Sequence, residues 1–446
     1  MRSTYPLVVN IQTPSVPATK VRWRVVGLLA LVAGATYIDR LNLGIVAKYI
    51  QEDFRFDTQT MGWILGAFSL GYALFHIPGG WLADRFGPRP VLAAAVLWFS
   101  VFTAATPIAP HLPGIGWLGA AWAFVITRFL MGTGEAAAIP VGNKMMAYWL
   151  GPNERAFGTS VFLTGVGVGG VVAPVLIGGI TKRWGWESSF FLLGTVGVFL
   201  ALGCYFYVTN RPEENPHVNS TELALIRGNA NHENVPSADT PPTGIPWRKI
   251  FSSRSMWGLM VSHFCLVYPL YIFFTWFFIY LVRVRGITIS KASLWGSAPF
   301  LANIFMVPLW GWFADRMARW LGKARGRRAA AWLGIVSSAL FLLSGSHTSN
   351  NTLAILQLAL AAGFNFAASA VLWTACTDIS STCSGSVSAV MTTFGSLGGS
   401  ASPILTAFIA TRFGWSSALD FAAIVTIASG LAWFFINTGE SIEQAG

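Results

Sequence analysis

Formal charge is scarce in this sequence of 446 residues: Asp, Glu, Lys and Arg make up 11% of it, and only 18 side chains are acidic. A soluble globular protein carries about 25% charged residues, so a soluble Rossmann-type fold is excluded, as are collagen-like and disordered chains. Cysteine is equally sparse. Cys204, Cys265, Cys376 and Cys383 lie in or beside apolar stretches, with no CxxC pair and no histidine partner. They read as small buried apolar residues rather than a zinc site or a disulfide framework. No GxxxxGK[ST] loop occurs, so no ATP-driven pump is indicated. Apolar residues are what the chain has in abundance. Hydrophobic side chains reach 54%, aromatics 14%, and mean hydropathy is +0.57. They fall in runs of about 20, the length of a bilayer-spanning helix. The chain is expected to be a polytopic membrane protein.

Twelve runs are predicted, at about 23–46, 59–83, 89–108, 117–140, 155–181, 187–209, 255–281, 290–314, 328–346, 351–377, 384–410 and 415–437. The one long polar segment, 210–250, is rich in Pro, Asn and Glu and reads as an aqueous linker. The expected organisation is therefore a tail (1–22), six helices (23–209), the linker (210–250), six more helices (251–438) and a second tail (439–446). Arg22 and Arg24 ahead of an apolar stretch loosely resemble a signal peptide, but the run continues past Asp39-Arg40 as an interrupted first span. The net charge of +11 is not gathered into a stripe that would suit nucleic acid. With the N-terminus inside, 19 Lys and Arg fall in inner segments and 8 in outer loops, which puts both termini in the cytoplasm. Arg283, Arg285 and Lys291 are the exception, three cations in one outer loop. The expected location is the cell membrane, the inner one in a Gram-negative bacterium.

The two halves repeat. Gly80-Trp81-Leu82-Ala83-Asp84-Arg85 closes the second run, and Gly311-Trp312-Phe313-Ala314-Asp315-Arg316 closes the eighth, 231 residues later. Ala173-Pro174 and Lys182-Arg183-Trp184-Gly185-Trp186 return as Ser402-Pro403 and Thr411-Arg412-Phe413-Gly414-Trp415, at an offset of 229. Six spans per copy give both copies the same membrane orientation, a parallel repeat about an axis along the membrane normal.

GGWLADRFGPR, following the second span, resembles the loop signature of the major facilitator superfamily. Tyr37-Ile38-Asp39-Arg40-Leu41-Asn42, Arg128 to Ala136 (RFLMGTGEA) and Phe274-Thr275-Trp276-Phe277 are similar to its anion:cation symporter branch, over residues 22–437. The resemblance implies two six-helix bundles around a central cavity lined by spans 1, 4, 7 and 10. It also implies a secondary transporter working by alternating access, with a small organic anion and protons as partners, lipid around it, no cofactor and a monomeric working unit. Branch members carry sugar acids, tartrate, phthalate, glutamate, sialate or phosphate.

Spans 1 and 4 contain four formal charges, Asp39, Arg40, Arg128 and Glu135. Each costs roughly 2.5–3.5 kcal/mol at mid-bilayer, on the order of 10 kcal/mol in all, so they must face a wet cavity or one another. Arg128 and Glu135 share a helix face about 10 Å apart. With both acids ionised the quartet is neutral; with both protonated it presents two positive charges to an anion. Burial disfavours a charged carboxyl and a nearby arginine favours it, so such a switch can sit near neutral pH. The released arginine can then grip a carboxylate bidentately. The bland reading is a pair of static salt bridges locking spans 1 and 4. The resemblance makes Asp39 and Glu135 the proton carriers and assigns Arg40 and Arg128 to the anion or its coupling. It adds Tyr37, Tyr72, Trp373 and Thr392 to the substrate wall. Thr392 stands where several relatives have Asn, and Val166 where some have Gln or Ser; both departures shorten or remove hydrogen-bonding groups, so the resemblance does not extend to a fully hydroxylated sugar acid. Span 7 has Leu266 in place of the arginine of glutamate carriers, so a monocarboxylate bearing hydroxyls or an aromatic ring is expected over a dicarboxylate.

The resemblance also implies a cytoplasmic latch built from Gly80, Asp84, Arg85 and Arg89, holding the outward-open state; a plain topogenic basic loop is the alternative. Gly165, Gly167 and Gly170 spell GxGxxG inside an apolar run with no strand before them, so they read as small residues for close helix packing. His76 and His263 read as satisfied core or cavity groups. The expectation is a proton-coupled organic-anion symporter, with sodium left open as the cation. Its rivals are a proton/drug antiporter on the same fold and a transport-dead sensor. An integral-membrane enzyme is set aside because no catalytic constellation sits at a membrane face.

Overall fold

The computed structural model describes residues 17–112, 119–151, 154–227, 247–379 and 384–438. It is all-helical, with no strand among the described residues. The first half contains α1 (Val21–Phe54), α2 (Thr58–Phe86), α3 (Pro88–Ala105), α4 (Ala120–Glu135), α5 (Ala138–Trp149), α6 (Arg155–Trp184) and α7 (Glu187–Tyr207). Two short helices, α8 (Ser220–Arg227) and α9 (Trp247–Ser252), belong to the connection between halves. The second half contains α10 (Arg254–Thr275), α11 (Phe277–Ile279), α12 (Ile289–Trp295), α13 (Ala298–Leu321), α14 (Lys323–His347), α15 (Asn351–Ile379), α16 (Ser384–Phe413) and α17 (Trp415–Ala432). Among the described residues, 11 spans are long and apolar enough to cross a membrane, with α4–α5 and α12–α13 each forming one. The remaining expected span, α16, is 30 residues long but diluted by Ser, Thr and Gly.

Both halves fold by the same three pairings. In the first, α1 packs on α6, α2 on α4 and α3 on α7; in the second, α10 packs on α16, α13 on α15 and α14 on α17. These are spans one with five, two with four and three with six, the parallel repeat read from the motifs. Prolines recur inside equivalent helices, Pro78 with Pro308 and Pro174 with Pro403. Such breaks are tolerated where neighbouring helices shield the freed backbone. The GxGxxG look-alike serves packing: a Cβ on Gly165 would sit 2.1 Å from the Ala30 carbonyl oxygen, so only glycine lets α6 approach α1.

The bundles meet at one end and part at the other. Ser400 Oγ donates to the Gly66 carbonyl (3.0 Å), Ser297 Oγ to Val171 (2.6 Å) and Arg283 to Gln51 (2.9 Å). Gly44 lies against the backbone of Phe274 and Thr275. These contacts cluster from mid-helix toward the end of α1 and the start of α2. At the opposite end, which carries the start of α1, nothing among the described residues lies within 4 Å of a Cβ built on Gly80 or Gly311, which marks it as the open end. The cations of the loop after α11 are occupied at the closed end: Arg285 donates to the Thr348 and Gly345 carbonyls (2.6 and 2.8 Å), where the C-terminus of α14 favours positive charge.

The connection is less aqueous than its composition suggests. Its first part folds beneath the first bundle, where Glu222 is fully buried at the N-terminus of α1. The carboxylate accepts from the Val21 and Arg22 amides (3.1 and 3.0 Å) and from the Arg22 guanidinium (2.9 Å). Arg22 also grips Glu154, in the turn before α6, through two hydrogen bonds of 2.8 and 2.9 Å. Burial pushes the Glu222 carboxyl up, but its hydrogen bonds from Thr19, Arg22 and Val21 outweigh that and hold it below its ordinary value. A run of polar residues did not reveal this because four unsatisfied amides at a helix start seek a partner wherever the chain supplies one.

Candidate functional site

Asp39 and Arg40 are brought by α1, Arg128 and Glu135 by α4, and all four come together in the first bundle. Arg40 donates from Nε to Oε1 of Glu135 in a close ion pair. Glu135 is fully buried, and its second oxygen has no partner. The Arg40 guanidinium lies over an aromatic cup, 4.5 Å from the Tyr72 ring centroid, 5.1 Å from Tyr37 and 5.3 Å from Phe68. Aromatic faces stabilise a cation while leaving its N–H edge free. One Arg40 amine, Nη2, is buried without a hydrogen-bond partner.

The second acid and second base are not joined. Asp39 is 3% exposed and takes one hydrogen bond, from Thr103 Oγ1 of α3 at 3.1 Å; its Oδ1 is unpartnered. Arg128, 2% exposed, points Nη1 at the Met131 sulfur (2.9 Å) and lies 5.1 Å from the Phe68 ring. Its Nε has no partner, and among the described residues no carboxylate lies within salt-bridge distance of it. A pair of static salt bridges is therefore not what the structure holds. One bridge is made, and an arginine and an aspartate are left with spare hydrogen-bonding capacity.

From the second bundle, Tyr271 of α10 lies within electrostatic reach of Arg40, Arg128, Tyr37 and Tyr72. Tyr37 also meets Phe274 edge-on at 6.0 Å. Sequence reading did not place Tyr271, Phe68 or Thr103 in the site, because helical spacing reports neighbours on one helix and not across two. Trp373 is 42% exposed and stands edge-on to His263, 5.9 Å away. Thr392 turns its hydroxyl onto its own helix, donating to the Ser388 carbonyl at 2.7 Å.

Of the expected latch, the Asp84 side chain lies outside the described residues. Arg85 is exposed and stacks on Trp81 and Phe86, 5.4 and 5.6 Å from their centroids. Arg89 stays within its own bundle, donating to the Tyr205 carbonyl at 2.8 Å. In the second half, Asp315 pairs with Arg327 at 2.7 Å, and Asp378 with Lys323 at 2.9 Å. Cys383 also lies outside the described residues, whereas the other three cysteines are free and buried, as expected.

Residues 29–403 match the family model of the Major Facilitator Superfamily. A "Probable sulfoacetate transporter" of Cupriavidus necator is 29% identical over 422 residues, covering 94% of each chain. A "Probable galactarate/D-glucarate transporter" of Bacillus subtilis is 29% identical, covering 95% of this chain and 93% of its own. The chloroplastic ascorbate transporter of Arabidopsis thaliana is 28% identical, covering 94% and 76%. Among solved structures, a bacterial homologue of the human lysosomal transporter Spinster superposes with TM-score 0.75 at 18% identity, covering 94% of this chain and 98% of that one. A D-xylose–proton symporter gives 0.72 at 15% identity, covering 94% and 99%. The fold, the repeat and these relatives agree: this multi-pass membrane chain belongs to the Major Facilitator Superfamily, is similar to anion transporters within it, and is a transporter rather than an enzyme.

Proposed function

We propose that the protein is a proton-coupled symporter of a hydroxylated organic acid, working by alternating access as a monomer in the cell membrane with both termini cytoplasmic. The observation that carries this reading is the single bridge between Arg40 and Glu135, beside an unbridged Arg128 and Asp39. With Glu135 ionised, Arg40 is spoken for. A proton on Glu135 removes the negative partner and leaves a guanidinium, seated on three rings, with its N–H edge available for a carboxylate. Asp39, held by one hydroxyl, is the second carrier, and its state sets whether Arg128 adds a further positive charge. The names of the relatives, which concern sulfoacetate, sugar diacids and ascorbate, support a small organic anion.

Two arginines in the site weigh against a drug antiporter, whose cationic cargo they would repel. A transport-dead sensor would bind the acid without moving it. Proteoliposomes separate these readings. An inward proton gradient should drive accumulation of a labelled sugar acid, a protonophore should abolish it, and Arg40→Ala should abolish both binding and uptake. Binding without uptake would establish the sensor, and uptake driven by a sodium gradient alone would replace the proton.

A further inference from the structure

Two histidines, one on each bundle, lie within electrostatic reach of each other near the charge quartet. His76 lies one helical turn beyond Tyr72 on α2, with ring centroids 5.3 Å apart. Since Tyr72 is 4.5 Å from the Arg40 guanidinium, His76 is no more than about 10 Å from it. His263 of α10 is within electrostatic reach of His76 and rests edge-on against the exposed Trp373. The pair therefore stands on the open-end side of Arg40, on the way from the binding centre to the cavity mouth.

The backbone fixes which nitrogen of each ring carries hydrogen. Pro140 has no N–H, so the Ala136 carbonyl, four residues earlier, lacks its helical donor. That carbonyl is the backbone acceptor at the His76 ring, while His76 Nδ1 is buried without a partner. In the second bundle, His263 Nδ1 meets the Met391 carbonyl at 3.0 Å. Glycine at 395 makes room, since a Cβ there would lie 2.3 Å from that nitrogen. A carbonyl can only accept, so it holds the hydrogen on the ring nitrogen that meets it. Each neutral imidazole is left with one lone pair on its other nitrogen, and a lone pair calls for a hydroxyl donor.

We propose that His76 and His263 form a hydroxyl-reading subsite that receives the alcohol groups of a polyhydroxy acid whose carboxylate is held at Arg40. This rests on the proposed function and narrows it, favouring a hydroxylated chain over an aromatic acid. It also supplies, from different helices, the hydrogen bonding that Thr392 and Val166 do not offer. The Arg40 fork takes the carboxylate end and the imidazoles take the chain. A ligand that bridges them touches both bundles at once.

Binding to the purified full-length protein in detergent tests this with three monocarboxylates: D-gluconate, hexanoate of equal chain length but no hydroxyl, and benzoate. The wild type should prefer D-gluconate. The double variant His76→Phe, His263→Phe keeps the rings and removes the lone pairs. It should bind D-gluconate about 10- to 100-fold more weakly, the worth of one or two hydrogen bonds, with hexanoate and benzoate unchanged. His76→Gln and His263→Asn each restore an acceptor and should keep most of the affinity, which guards against misfolding of the phenylalanine variants. Equal D-gluconate affinity in the double variant, or a wild-type preference for hexanoate or benzoate, overturns the subsite. Arg40→Ala in the same assay should lose all three acids. If it loses none, or if no acid binds the wild type, the underlying anion reading fails as well.

Discussion

Arg40 touches three rings and a carboxylate at once, and the sequence made its importance plain without showing which partner it would take. Four charges in two apolar runs could be read directly, because insertion energy forbids idle charge there. The spacing of Arg128 and Glu135 on one face was also legible. That Glu135 would reach across to α1 was not, since periodicity describes one helix and not the rotation of two against each other. The aromatic cup is the reason to expect lysine to be a poor substitute. A point ammonium keeps the charge but loses the planar fork and much of the stacking. Arg40→Lys should therefore lower acid affinity by about 10- to 100-fold, the scale of a lost charge-assisted hydrogen bond. Isothermal titration of the purified variant measures this directly, and affinity within error of wild type would show that the fork is not used. Thr103→Val removes the hydroxyl that holds Asp39. It should leave acid binding near wild type and slow proton-driven uptake, because it touches the proposed second carrier and not the anion.

At the scale of elements, the helices themselves were the most legible part. Runs of apolar residues became helices close to where they were expected, and the two copies of the GxLADR-type motif closed α2 and α13. The harder features come from groups that compete for the backbone. The break between α4 and α5 follows from Pro140, and the docking of α8 follows from Glu222 filling the start of α1. That contact has a measurable worth. Glu222→Gln leaves a buried amide against donors it cannot serve, and should cost about 1–3 kcal/mol at neutral pH. The sign of its pH dependence follows from the lowered Glu222 carboxyl. A carboxyl held below its unfolded value near 4.3 contributes stability above that pH and loses it as pH falls through the folded value. Thermal unfolding of the variant in detergent should thus begin lower than wild type at pH 7, with the gap closing in acid. A gap that persists unchanged below pH 4 would assign it to packing and not to charge.

For the whole molecule, the same three pairings hold each bundle together, and contacts across one end join the two. Parallel repeats were legible in two motifs at nearly one offset. The open direction was not, because the repeat specifies how helices pack within each bundle and not how one bundle tilts against the other. The expected latch belongs at the open end. Asp84→Asn removes the negative charge that would face helix starts and arginines when that end closes. Its worth, roughly 0.3–2 kcal/mol, amounts to a population shift of about twofold to thirtyfold toward the open form seen here. A thiol introduced as Gly311→Cys, where no neighbour lies within 4 Å, should label faster from the open side in the Asp84→Asn background. Equal labelling with transport preserved would make Asp84 topogenic only. The central claim is that a proton on Glu135 releases Arg40 for the substrate, and reconstituted Glu135→Gln tests it most directly, since glutamine mimics the protonated acid and cannot give the proton up. Sugar-acid counterflow should persist while accumulation driven by a proton gradient disappears. Accumulation at the wild-type rate in Glu135→Gln would contradict the account.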